Sequence, residues 1–147
     1  MFYFDPLYLL MILPALILGI IAQIMVSSAY NRYMQVRNAR GVTGVEAAQH
    51  LLLYNGMGEV NLQGTPGQMS DHYDPRSNTL RLSPAVARTP SVAALGIVAH
   101  EVGHAQQVYG AYAPMRWRMA LVPVANLGST AGPWLVLIGA LFRFSGL

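Results

Sequence analysis

The sequence predicts a mainly α-helical membrane protein in which two transmembrane helices flank a small α+β segment. Charge is scarce, since 10% of residues are charged and 54% hydrophobic, with mean hydropathy +0.38. A soluble domain usually carries about 25% charged residues. Two long stretches, residues 6–31 and 119–142, hold no charge at all, and the polar residues gather between them. With 147 residues the chain has room for one core and no second large one.

The first span centres on residues 7–26, twenty almost purely apolar positions. At about 1.5 Å rise per residue they cover the roughly 30 Å hydrocarbon core. Ser27-Ser28-Ala29 offers a rival reading as a signal-peptide cleavage site, but MFYFDP carries one acid and no base where a signal peptide begins basic. A membrane helix over residues 6–30 is therefore expected, kinked at Pro14, with Tyr3, Phe4 and Tyr8 as an interfacial belt.

The second span, 119–142, is diluted in its first half by Pro123, Asn126, Gly128, Ser129, Thr130, Gly132 and Pro133. Such a helix suits a membrane if its small and polar residues face another helix. The alternative is a helix buried in a larger soluble core. Arg32, Arg37, Arg40, Arg116 and Arg118 flank the middle segment, against Arg143 alone beyond the second span. This asymmetry predicts that residues 31–118 face the cytoplasm and both flanks lie outside.

The net charge of +3 comes from nine arginines, no lysine and six acids. The arginines are scattered and five flank apolar segments, which fits lipid headgroups and excludes a clustered nucleic-acid surface. Zero cysteines exclude disulfides, thiolate metal sites and a cysteine nucleophile.

Inside the middle segment, Thr43-Gly44-Val45-Glu46 forms a capping box that opens a helix ending at Tyr54, where Asn55-Gly56 stops it. A glycine-rich stretch with one short strand near Val60 follows. DHYDPRSNTLRLS then reads as a hairpin, with Asp74-Pro75-Arg76-Ser77-Asn78 supplying the turn and residues 79–83 alternating like a half-buried strand. The edge of that strand is expected to receive an extended substrate by strand addition. A second helix starts near Thr89-Pro90-Ser91 and ends before Gly110.

That second helix carries His100-Glu101-Val102-Gly103-His104. Residues four apart on a helix project from one face, so two neutral imidazoles at this spacing can bind one Zn²⁺. Glu101, about 100° round from His100, is not placed to join them as a ligand. It is placed to take the proton of a water that the metal acidifies, as that water attacks a peptide carbonyl. The alternative is a buried helix with two satisfied core histidines.

AHEVGHAQQ, the preceding DHYDPRSNTLRLS and the following YAPMRWRMALVPVANLGS resemble the bacterial membrane-bound neutral zinc metallopeptidases. These are gluzincin-like enzymes, distantly related to the heat-shock membrane proteases. The resemblance covers nearly the whole chain. It implies a zincin-like segment over residues 31–118 with His100 and His104 as zinc ligands and Glu101 as catalytic base. It also implies a third ligand, a glutamate on a later helix, whereas no His, Asp or Glu follows His104. Two expectations result: an incomplete version of the family protein, which is preferred, or a third ligand upstream.

Upstream, His72 is the candidate ligand, flanked by Asp71 and Asp74, and Tyr73 the candidate oxyanion donor. A polar turn that merely shapes the hairpin is the alternative. His50 is expected on a solvent-facing helix side. The functional expectation is a membrane-anchored zinc-dependent endopeptidase acting on polypeptides at the bilayer. The competing one is a non-catalytic membrane scaffold with a vestigial or structural metal site.

Overall fold

The computed structural model describes residues 6–144, with side chains from Leu9 to Phe142. Tyr3, Phe4 and the side chains of Tyr8 and Arg143 lie outside the described residues. The chain forms two compact units, residues 1–103 and 104–147, and helix α4 begins in the first and ends in the second.

In the first unit, α1 (Pro6–Met34) continues through Pro14, and from Leu9 onward its apolar side chains are largely exposed. A soluble core helix of this composition would be buried, so exposure fits lipid as the solvent. Helix α2 (Gly44–Tyr54) opens with both halves of the expected capping box. The Thr43 hydroxyl accepts from the Glu46 N–H at 3.4 Å, and Glu46 accepts the Thr43 N–H at 2.8 Å. At the other end Asn55 caps the helix and Gly56 takes φ 69°, a conformation that disfavours any side chain.

Three short strands follow: β1 (Asn61–Gly64), β2 (His72–Asp74) and β3 (Thr79–Leu82). β2 and β3 form the predicted hairpin, antiparallel with Tyr73 opposite Leu80. The sheet order is β1-β3-β2, with β1 parallel to β3. This corrects one expectation: β3 is the central strand, paired on both sides, so it has no edge to offer a substrate. β1 takes that edge even though Leu62 is its sole apolar residue.

Ser83 then caps a helix too short to show periodicity, α3 (Pro84–Arg88), with proline in its first turn. Helix α4 (Val92–Tyr109) starts where Ser91 Oγ accepts the Ala94 N–H at 3.1 Å. The core of this unit joins Ala48, Leu52 and Met57 to Leu80, Leu82 and Val86, and to Ala94, Val98 and Val102 on α4. α2 meets α3 closely enough that a Cβ on Gly44 would collide with the Val86 carbonyl.

The segment after α1 is bonded to the start of α4. The Val92 N–H donates to Val36 O at 2.8 Å, and the Asn38 N–H to Pro90 O at 3.0 Å. Ser91 Oγ reaches Met34 Sδ at 3.3 Å.

In the second unit the last turns of α4 close when Gly110 N–H donates to Gln106 O and Tyr112 N–H to Gln107 O. Ala111 adopts φ 50° between them, in the left-handed region. Helix α5 (Ala113–Phe144) then runs through Pro123 and Pro133, its apolar residues exposed. It and α1 are the two described helices long and apolar enough to cross a membrane.

Two outcomes test this packing. Gly44→Ala should cost about 1–3 kcal/mol, the usual penalty of overpacking, read as lost hydrogen-exchange protection in α2 and α3; unchanged protection would contradict the close approach. Asp74 accepts from the Ser77 hydroxyl, then the Arg76 N–H, with Arg81 at 3.3 Å, and these hold its carboxyl below the usual range. A depressed folded value stabilises the turn above the unfolded value, about 3.9, and that contribution is lost as pH falls through the folded one. The Arg76 amide resonance should therefore titrate with a midpoint below about 3.9.

Candidate active site

The buried stripe of α4, Ala94, Val98 and Val102, repeats every four residues and faces the core. His100 follows Val98 by two residues, about 200° round the helix, which turns it away from the core. His104 bears the same relation to Val102, one turn further on. Glu101 falls about 60° from the stripe, at its margin, and is half-buried. The helix thus presents His100 outward and leaves His104, like the Glu101 carboxylate, half-buried.

That carboxylate is held by main chain. Glu101 Oε2 accepts the Tyr73 N–H at 3.0 Å, so the middle of β2 lies beside α4 with its outward amide on the carboxylate. The Tyr73 ring is buried and its hydroxyl donates to Asn78 Oδ1 at 2.8 Å. The phenol expected as oxyanion donor is thus engaged with Asn78, and what the structure brings to Glu101 is the peptide N–H of Tyr73.

A cleft of about 390 Å³ opens beside these groups. Val26 and Tyr30 of α1 form one wall, Met69 and Asp71 of the β1–β2 loop another, and Ile97, His100 and Glu101 of α4 the third. Met69 takes φ 54°, a left-handed conformation uncommon outside glycine. Asp71 secures the loop, Oδ1 accepting the Ser83 N–H at 2.6 Å and Oδ2 the Ser83 hydroxyl at 3.1 Å. His50 lines a separate cavity of about 760 Å³ beside α2, with Arg40 and mostly apolar neighbours.

His72 is exposed, sets Nδ1 2.7 Å from Ser70 O, and does not line the cleft with His100 and Glu101. Among the described residues no three His, Asp or Glu side chains gather as a metal-binding group. The two helix histidines fit a metal in chemistry and spacing. His104 Nδ1 lies 3.1 Å from Gln107 Oε1. With its proton on Nδ1 donated to that amide oxygen, the His104 ring would ligate a metal through Nε2.

Sequence reasoning missed Tyr30 and the Tyr73 amide. No local signal marks a main-chain donor, and Tyr30 sits in a span whose composition speaks only of lipid.

Residues 8–147 match the family described as "Putative neutral zinc metallopeptidase". The chain is 36% identical over 135 residues to "Putative membrane protease YugP" of Bacillus subtilis, covering 92% of the chain and 60% of the relative. It thus spans less than two thirds of that relative's length. No solved structure matches. With residues 8–147 matched to the family and the His100–His104 motif carried on α4, the chain belongs to the neutral zinc metallopeptidases of that description.

Proposed function

We propose that the protein is a membrane-anchored zinc endopeptidase that hydrolyses peptide bonds, with His100 and His104 as zinc ligands and Glu101 as general base. The observation that carries this reading is the Glu101–Tyr73 hydrogen bond of 3.0 Å, which fixes the carboxylate of the histidine helix at the wall of a cleft.

Zinc, when bound, acidifies water and polarises a peptide carbonyl. Glu101 takes the proton of the attacking water. A carboxylate has two oxygens, and with Oε2 on the Tyr73 amide the other remains for that proton. The substrate is a polypeptide and the setting the bilayer. Val26 and Tyr30 belong to the apolar helix α1, so whatever enters the cleft passes beside the membrane helix. The arginine asymmetry supports a cytoplasmic orientation of residues 31–118.

Glu101→Gln keeps size and most hydrogen bonding but loses the proton acceptor. Purified in detergent, this variant should retain zinc while cleaving an unfolded polypeptide at least about 100-fold more slowly, as loss of a general base does. Undiminished cleavage would remove Glu101 from the reaction, and a parent protein that cleaves nothing would favour the scaffold. Orientation has its own test. A reporter fused near residue 60 should be active on the cytoplasmic side, and periplasmic activity would overturn the assignment.

A further inference from the structure

The cavity beside α2 plays no part in the proposed hydrolysis. Leu51 and Tyr54 of α2, Leu95 and Ala99 of α4 and the loop after α1 line it, with Arg40 and His50 as its cationic and ring N–H donors. Leu95 and Ala99 stand about 200° round the helix from Ile97 and Glu101, so this cavity and the cleft lie on different sides of α4. At about 760 Å³ it has the size of a small-molecule site, and no acid lines it among the described residues.

Arg40 is presented by a fixed loop. The buried Asn38 side chain donates to Val42 O at 2.7 Å and accepts the Val42 N–H at 3.0 Å, and the Asn38 N–H goes to Pro90. The Arg37 guanidinium comes within 3.5 Å of where a Cβ on Gly41 would stand, so two cations flank one turn. Among the described residues no acid forms an ion pair with either. Glu46, one turn before His50, is engaged by Thr43 in the capping box.

The cavity also has a defined depth along α1. Val26 and Tyr30 line the cleft with Ile97 and His100, so α4 runs back along α1 from the Met34–Ser91 contact. Four and eight residues beyond Ser91, about 6 and 12 Å, Leu95 and Ala99 come level with Tyr30 and Val26. There the apolar stretch of α1 gives way to Ser27, Ser28, Asn31 and Arg32. For a helix in a bilayer this change marks the headgroup boundary. Tyr54, lining the cavity, is 90% exposed, and tyrosine is a residue type of that boundary.

We propose that this cavity binds one anionic phospholipid, its phosphate on Arg40 and His50 and the start of an acyl chain over Leu51, Leu95 and Ala99. A guanidinium donates to two phosphate oxygens at once, and an imidazole adds a ring N–H. The apolar wall at bilayer depth suits a lipid, whereas a free phosphate would leave that wall against water. Arg37 and Arg40, with no acid beside them, favour a headgroup of net negative charge over a zwitterionic one. The proposal rests on the membrane setting of α1 and is independent of the peptidase chemistry.

The test is photo-crosslinking of the purified full chain in nonionic detergent. The probe is phosphatidylglycerol with a diazirine near the head of one acyl chain, and mass spectrometry maps the labelled residues. Label should saturate on residues 51–54 and 95–99. The same probe built on phosphatidylcholine should label them at least about 5-fold less, while both lipids label α1 alike. Arg40→Gln should lower the phosphatidylglycerol label about 5-fold, the usual contribution of one basic residue at an anionic surface. Ala99→Trp should abolish it by filling the cavity, since Ala99 is exposed and has room for a larger side chain. Equal labelling of residues 51–54 and 95–99 by the two lipids overturns the proposal. So does label that survives both substitutions, or label that inorganic phosphate alone displaces, which marks a free-anion site. If a variant loses the parental Tm, the comparison of the two lipids on the parent decides. No label on α1 from either lipid would remove the membrane setting, and the proposal with it.

Discussion

The backbone pairing between residues 36–38 and 90–92 is the constraint on which the cleft depends. Two N–H···O bonds, Val92 to Val36 and Asn38 to Pro90, staple the start of α4 to the chain leaving α1. The first turn of any helix carries N–H groups without intrahelical partners. Here one finds its acceptor in the segment that follows α1, and Ser91 caps another. The effect is to tie the direction of α4 to that of α1. Given that direction, Ile97, His100 and Glu101 lie beside Val26 and Tyr30, and a cleft walled partly by α1 results.

A second layer of positioning comes from the hairpin. β2 has three residues and could not hold a site alone, yet Tyr73 pairs with Leu80 on one side and gives its N–H to Glu101 on the other. Hydrogen bonds to a charged acceptor contribute about 1.5–3 kcal/mol, more than a surface ion pair such as Arg81–Asp74, where about 0–1 is usual. Asp71 does the same for the loop by engaging both Ser83 groups at the head of α3. Main-chain N–H groups hold both carboxylates, that of Tyr73 on Glu101 and that of Ser83 on Asp71, and Asp71 in turn secures the loop.

Much of this was legible in the residues. The capping box at Thr43–Glu46, the stop at Asn55-Gly56, the Asp74–Asn78 turn and the Ser91 cap are local chemistry, and each appears where its residue types put it. The apolar spans follow from length and composition, although α5 begins at Ala113, before the charge-free run that announces it. Other features depend on contacts distant in sequence. α3 is five residues long and carries no period to read. Pairing of β1 with β3 was invisible because Asn61-Leu62-Gln63-Gly64 alternates too weakly to announce a strand. Of the candidate site, the grouping of His100, Glu101 and His104 on one helix was readable from spacing. Tyr30 required knowing which face of α1 meets α4, and the Tyr73 amide required the register of β2.

The central claim is that His100 and His104 hold zinc beside Glu101. X-ray absorption at the zinc edge of the purified protein tests it most directly. Two imidazole ligands at the Zn–N distance of about 2.0–2.1 Å, with the rest of the shell oxygen, are the predicted result. Absent imidazole scattering, or a spectrum unchanged when both histidines are replaced by alanine, would contradict it.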